Sequence, residues 1–181
     1  VGQPGNSIQT VLPMITDVLG WSYEDDFKKE FIADYSAFDA LRSGKIDAIV
    51  EWMGLGAGAY EEEFQKGNMR LLAMSKDSIA KLSEKYPFYI GGQIPDGIYK
   101  GQPATDVPFT QDFLTVQASL SDDVVYQMCK SMYDRLEDGT LAATHRAFSE
   151  AGFPAYIEKI SLLPLHSGAK KFYTEIGVTL E

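Results

Sequence analysis

Short apolar runs suited to buried strands alternate with stretches of helical apolar period over the first part of the chain, and that alternation restricts it to α/β architecture. Val1-Gly2 reads as the tail of a strand. Ile8, Val11, Leu12, Ile15, Val18 and Leu19 then repeat with a helical period. Pro13 lies inside that pattern and predicts a kink or a restart, since it lacks a backbone donor and crowds the preceding turn. Gly20 ends the helix. Phe31-Ile32-Ala33 reads as a strand, and Ser36 with Asp39 three residues on reads as the capped start of a helix carrying Phe38 and Leu41 inward. Gly44 stops it. Ile46 to Val50 is the next strand, with Glu51, Trp52 and Met53 at its carboxyl end. A helix over Ala59 to Gln65, a strand over Met69 to Met74 and a helix over Asp77 to Lys85 give the order β-α-β-α-β-α.

From Tyr86 to Asp106 the texture turns to aromatics, Gly and Pro. A connection of that length inside a compact domain predicts a functional or interlobe crossing. Phe113 to Val116 is a strand candidate after it. Three helices follow, over Ser121 to Leu136, about Thr140 to Glu150, and Gly168 to Ile176. Val125, Cys129, Met132 and Leu136 share helical spacing, so the single cysteine reads as a small buried apolar side chain.

The 181 residues suffice for one well-buried domain, or for one lobe of a two-lobed protein with part of the other. A formal net charge of -10, with no cluster of Lys and Arg interleaved with aromatics, argues against nucleic acid as a partner. No apolar run approaches the roughly 20 residues of a membrane span. The opening Val1-Gly2 carries no signal-peptide pattern, which leads to the expectation that a segment lies upstream.

Four stretches, in order along the chain, resemble the TAXI-type solute receptors of TRAP (tripartite ATP-independent periplasmic) transporters. Val1-Gly2-Gln3-Pro4-Gly5-Asn6-Ser7 is similar to that family's VGxPGSG loop, and Leu41 to Ala48 to its L-x-x-G-x-I-D-A segment. Tyr86 to Tyr89 with Ile94 to Gln102 resembles YPFY...IPxGxYxGQ. Pro164 to Ala169 with Phe172, Tyr173 and Glu175 resembles PLHPGAxxYYxE. Asn6 stands where Ser is usual, and Ser167 where Pro is usual. The resemblance implies a type II periplasmic-binding fold with ligand in a cleft between two lobes, and it implies that most of the N-terminal lobe is absent here. Residues 1–100 then form a three-layer α/β/α ligand-binding lobe, and residues 101–181 supply a crossover strand and C-terminal helices of the other lobe. The implied partners are a small carboxylate or amino acid such as glutamate and the membrane subunits of the transporter, and the implied location is extracytoplasmic.

The residues themselves sharpen the site. The loop ending in Gly5, Asn6 and Ser7 opens a helix directly after a strand, so its backbone N–H groups and the positive end of the helix dipole can hold a carboxylate. The plainer reading is a turn with Asn6 or Ser7 as N-cap; the resemblance favours the site. Ligands of open α/β sheets lie beyond the carboxyl ends of strands, which brings in Tyr35, Ser36, Glu51, Trp52 and Met53, with Glu51 available to a ligand ammonium. Against this stand core packing for Trp52 and a solvated charge or a Lys45 partner for Glu51. Tyr86, Phe88, Tyr89 and Tyr99 read as packing, and Glu61-Glu62-Glu63 as a solvated face that can also meet a membrane partner. His145, mid-helix, and His166, in a turn, lack partners at metal spacing, and no Gly-x-Ser-x-Gly elbow supports a triad. The expectation is therefore a receptor without enzymatic activity, cofactor or metal. The rival readings are a ligand-sensing domain of a signalling protein and a substrate-binding protein of an ABC transporter.

Overall fold

The computed structural model describes residues 2, 5–33, 35–145, 148 and 164–180. The chain divides into two compact units, Val1–Phe109 and Thr110–Glu181. Unit 1 holds helices α1 (Ile8–Leu19), α2 (Ser36–Arg42), α3 (Gly58–Gln65) and α4 (Lys76–Lys85) and strands β1 (Ile90–Ile94) and β2 (Thr105–Phe109). Unit 2 holds α5 (Asp122–Glu137), α6 (Thr140–Thr144) and α7 (Ser167–Glu175). The expected helix reaching Glu150 stops at Thr144, with His145 as its C-cap rather than mid-helix; residues 146, 147, 149 and 150 lie outside the described residues, as do Val1, Gln3 and Pro4 of the opening loop.

Helix α1 buries Ile8, Leu12 and Thr16 and packs on α4, which buries Ile79 and Leu82. Lys85 bonds Asp17 across the pair at 2.5 Å, and the Tyr86 hydroxyl reaches the same oxygen at 3.4 Å. The Lys85 ammonium holds the Asp17 carboxyl below its ordinary range. Of the kink or restart expected at Pro13, a restart is not found: α1 is continuous through it, and the buried Thr16 hydroxyl bonds the Pro13 carbonyl at 3.1 Å. Gly20 ends α1 in the left-handed region (φ 74°), with its N–H on the Asp17 carbonyl and the Trp21 N–H on the Thr16 carbonyl, the paired bonds of a Schellman cap. Gly44 closes α2 the same way, the Lys45 N–H reaching the Ala40 carbonyl at 2.8 Å.

Four expected strands, at residues 31–33, 46–50, 69–74 and 113–116, are not strands here. A strand exists only as half of a ladder, and an apolar run does not carry its partner. The sheet among the described residues is a two-stranded antiparallel ribbon, with Gly92 opposite Val107. It lies largely within the stretch expected to be irregular. Burial along β1 alternates strictly, Ile90, Gly92 and Ile94 inward, as a sheet with one covered face requires. Residues 69–74 remain extended beside this ribbon. The Met74 N–H bonds the Asp106 carbonyl at 3.0 Å, and the Gln102 side chain accepts from the Leu71 N–H at 2.8 Å while donating to the Met69 carbonyl at 3.4 Å.

The core of this region is Phe64, Ile98 and Tyr99. The Phe64 and Tyr99 rings lie 4.7 Å apart, and the Tyr99 hydroxyl accepts from the Gly56 N–H at 3.3 Å. Ser36 does not cap α2: the helix starts on Ser36 itself with Tyr35 as N-cap, and Asp39 pairs with Arg42 instead. Glu63 corrects the reading of the acidic run as a solvated face. It is buried and accepts from Lys66 at 2.6 Å and Arg42 at 2.5 Å, joining α2 to α3. Lys66 first and Arg42 second hold its carboxyl below the ordinary 4.5. A carboxyl lowered on folding stabilises above its unfolded value, and that stabilisation is lost as pH falls through the folded one. The melting temperature is therefore expected to drop below about pH 4.5, and Glu63→Gln should flatten that drop. Parallel profiles for the two proteins would exclude the pairing as its source.

In unit 2, α5 packs on α7 around Phe172, which meets Tyr126 and Tyr133 edge-on at 5.8 and 5.6 Å. The Tyr126 hydroxyl donates to Glu175 at 2.8 Å. Val125 is buried, whereas Cys129 and Leu136 are only half-buried and Met132 is exposed, so the expected stripe is fully covered at Val125 alone. Burial raises the Cys129 thiol, away from the reactive thiolate.

Candidate functional site

The start of α1 carries the clearest local design. Asn6 is its working cap: its side-chain oxygen accepts from the Ile8 N–H at 3.0 Å, and its carbonyl accepts from the Gln9 N–H at 3.1 Å. Gln9 turns back to donate to the Gly2 carbonyl at 2.9 Å. The Asn6 amide nitrogen lies so close to Gly2 that a Cβ there would fall 2.5 Å from it, which ties residue 2 to glycine. Gly5 takes a left-handed turn (φ 91°) and is exposed. Ser7 is exposed, and its hydroxyl has one long contact, 3.5 Å to the Asn6 oxygen. The Asn6 oxygens and the N–H groups of Ile8, Gln9 and Thr10 are thus engaged within the loop and helix, and the Ser7 hydroxyl stands at the surface.

A recess of about 10 Å³ lies next to this loop, lined by Gly2, Ala37, Ile46, Ile49, Glu30 and Glu51 among others. That is the room of about one water, too little for an organic solute. Of the residues expected to bind, Glu51 alone lines it. Its oxygen accepts from the Trp52 N–H at 3.0 Å, and no ion pair with Lys45 is found among the described residues. Trp52 is half-buried, its ring edge-on to Tyr89 at 5.5 Å. Tyr35, 72% exposed, and Ser36 stand at the start of α2, beside the lining residue Ala37, and Met53 is exposed past Trp52. Tyr89 itself is buried, with its hydroxyl on the Met14 sulfur at 3.8 Å, and burial pushes it up to about 12. The aromatic group accordingly packs the unit together, and only Phe88 is substantially exposed.

Glu30 was not anticipated. It precedes an apolar run, whereas ligands of open α/β sheets are expected past the carboxyl ends of such runs. It pairs with Lys28 at 2.8 Å, and that ammonium lowers its carboxyl. Two carboxylates therefore edge the recess, and the exposed Ser7 hydroxyl stands on the loop that opens α1. Such an arrangement offers one pole to a cation and another to an anion.

Helices with a small antiparallel ribbon, and a donor-bearing loop at a helix start, are compatible with an α/β binding protein. The chain belongs to the NMT1-like family, whose profile matches residues 1–177. This is a periplasmic solute-binding family related to TRAP/TAXI-type receptors, its members typically extracytoplasmic, and it implies a small-molecule ligand and a role connected with transport. Among the described residues no helix is long and apolar enough to cross a membrane.

Proposed function

We propose that the chain is the ligand-binding part of a TAXI-type receptor with a type II binding fold, which captures a small organic anion, foremost an amino acid such as glutamate, and delivers it to a TRAP-type transporter without chemistry. The observation that carries this reading is the loop at the start of α1. Asn6 satisfies the helix end from within, and the Ser7 hydroxyl is left at the exposed surface. A carboxylate is costly to desolvate unless its oxygens are bonded, and a helix start supplies donors without a buried cation. Glu51 at the neighbouring recess suits an ammonium group, so the two poles match a zwitterion. Affinity then comes from two lobes closing on the ligand.

A thermal-shift screen of the full-length protein tests the ligand class, because a solute that binds only the folded state raises its melting temperature. Amino acids and carboxylates should stabilise it. Stabilisation by neutral sugars with none by carboxylates or amino acids would sink the proposal. Ser7→Ala should weaken the cognate ligand by about 1 kcal/mol or more, the worth of one hydrogen bond to a charged group. Calorimetry that returns an unchanged affinity would remove Ser7 from the site.

A further inference from the structure

We infer that His166 is a proton-operated clasp that holds α7 to the start of α5. His166 is the N-cap of α7, and its Nδ1 accepts from the Gly168 N–H at 3.1 Å. Its Nε2 lies 3.0 Å from the Leu120 carbonyl oxygen, in the turn just before α5. A carbonyl can only accept, so Nε2 carries the proton, and a cap nitrogen receiving an N–H must be bare. Both bonds therefore form only with the neutral ring in its Nε2–H form. The imidazole bridges the turn at Leu120 to the first backbone donors of α7, and it is largely covered, 10% exposed.

A further proton has only Nδ1 to go to, where it would point at the Gly168 N–H and convert an acceptor into a second donor. The Asp122 carboxylate, on α5, is 3.8 Å from Nδ1 and is the one carboxylate within ion-pair distance among the described residues. It is 60% exposed and already accepts from the Ser167 hydroxyl, so solvent screens its pull and it cannot replace the acceptor that Gly168 loses. The neighbouring charges are Asp123 on α5 and, on α7, Lys170, whose backbone N–H bonds the His166 carbonyl at 2.9 Å; neither pairs with the ring. The clasp is closed when the ring is neutral and opens when the ring gains a proton. It acts within unit 2.

The test is amide hydrogen exchange over α7 in the intact chain at pH 7.5 and 5.0, corrected for the intrinsic rates. In the wild type, the amides from Gly168 to Phe172 should exchange roughly fivefold faster at the lower pH, the loss of about one neutral hydrogen bond. His166→Asn keeps an acceptor at the cap and does not titrate, so its exchange should not change between the two conditions. Equal protection of the wild type at both values, or the same acid loosening in the Asn variant, overturns the clasp. Should the variant fail to fold, ¹⁵N shifts of the wild-type imidazole at pH 8 decide: a bare Nδ1 supports the clasp, and a protonated Nδ1 refutes it.

Discussion

Phe64→Ala is expected to destabilise unit 1 by about 3–5 kcal/mol. Phe64 is 2% exposed and stacks at a tilt on Tyr99, and the core of α3 and the turn after β1 gathers on it. Removing the ring takes away its transfer free energy and leaves a void that Tyr99, tied by its hydroxyl to Gly56, cannot move to fill. Urea unfolding followed by tyrosine fluorescence should show the midpoint falling with little change in slope. An unchanged midpoint would mean that Phe64 does not anchor this core.

Gly168→Ala should be nearly as damaging, at about 2–3 kcal/mol, for the opposite reason. A Cβ at residue 168 would lie 2.3 Å from the Asp122 carbonyl oxygen and 3.0 Å from its Cα. Those are backbone atoms at the start of α5, so nothing can swing aside and α7 must slide along its partner. Phe172 would then leave its seat between Tyr126 and Tyr133. Loss of near-ultraviolet dichroism from these tyrosines, with the helical signal kept, is the expected result. Unchanged near-ultraviolet dichroism would show that the two helices are set farther apart at this point.

The helices were legible because their information is local. The helices expected over Asp77 to Lys85, Ser121 to Leu136 and Gly168 to Ile176 are found within a residue or so of those limits, and Gly20 and Gly44 stop theirs as their left-handed conformations demand. Pairing is not local. Residues 46–50 are as apolar as any strand yet find no ladder, whereas β1 and β2 lay hidden behind Gly91, Gly92 and Pro108, residues that ordinarily argue against strands. Glu63 was misread for a similar reason. Nothing in an acidic triplet tells which carboxylate meets an arginine 21 positions earlier. At the candidate site, the capping role of Asn6 was one of two readings open from sequence, and its side-chain oxygen is found on the Ile8 N–H. The nearness of Glu30 to Glu51 was beyond reach, because it depends on how residues 28–33 and 46–51 come together.

Gln102 bears on how such a chain tolerates change. Its primary amide presents a donor and an acceptor side by side, as a peptide group does, and it engages the Leu71 N–H and the Met69 carbonyl in the manner of a neighbouring strand. One side chain thereby does the work of an adjoining stretch of backbone. An ordinary ladder spreads alignment over many bonds, so that slipping by one residue inverts every side chain. Here the Gln102 fork, together with the packing of Met69 and Leu71 on the core, sets where residues 69–71 lie. Because the fork stands directly after Ile98 and Tyr99, one short stretch both fills the core and aligns its neighbour, so an insertion between Pro95 and Gln102 displaces both at once.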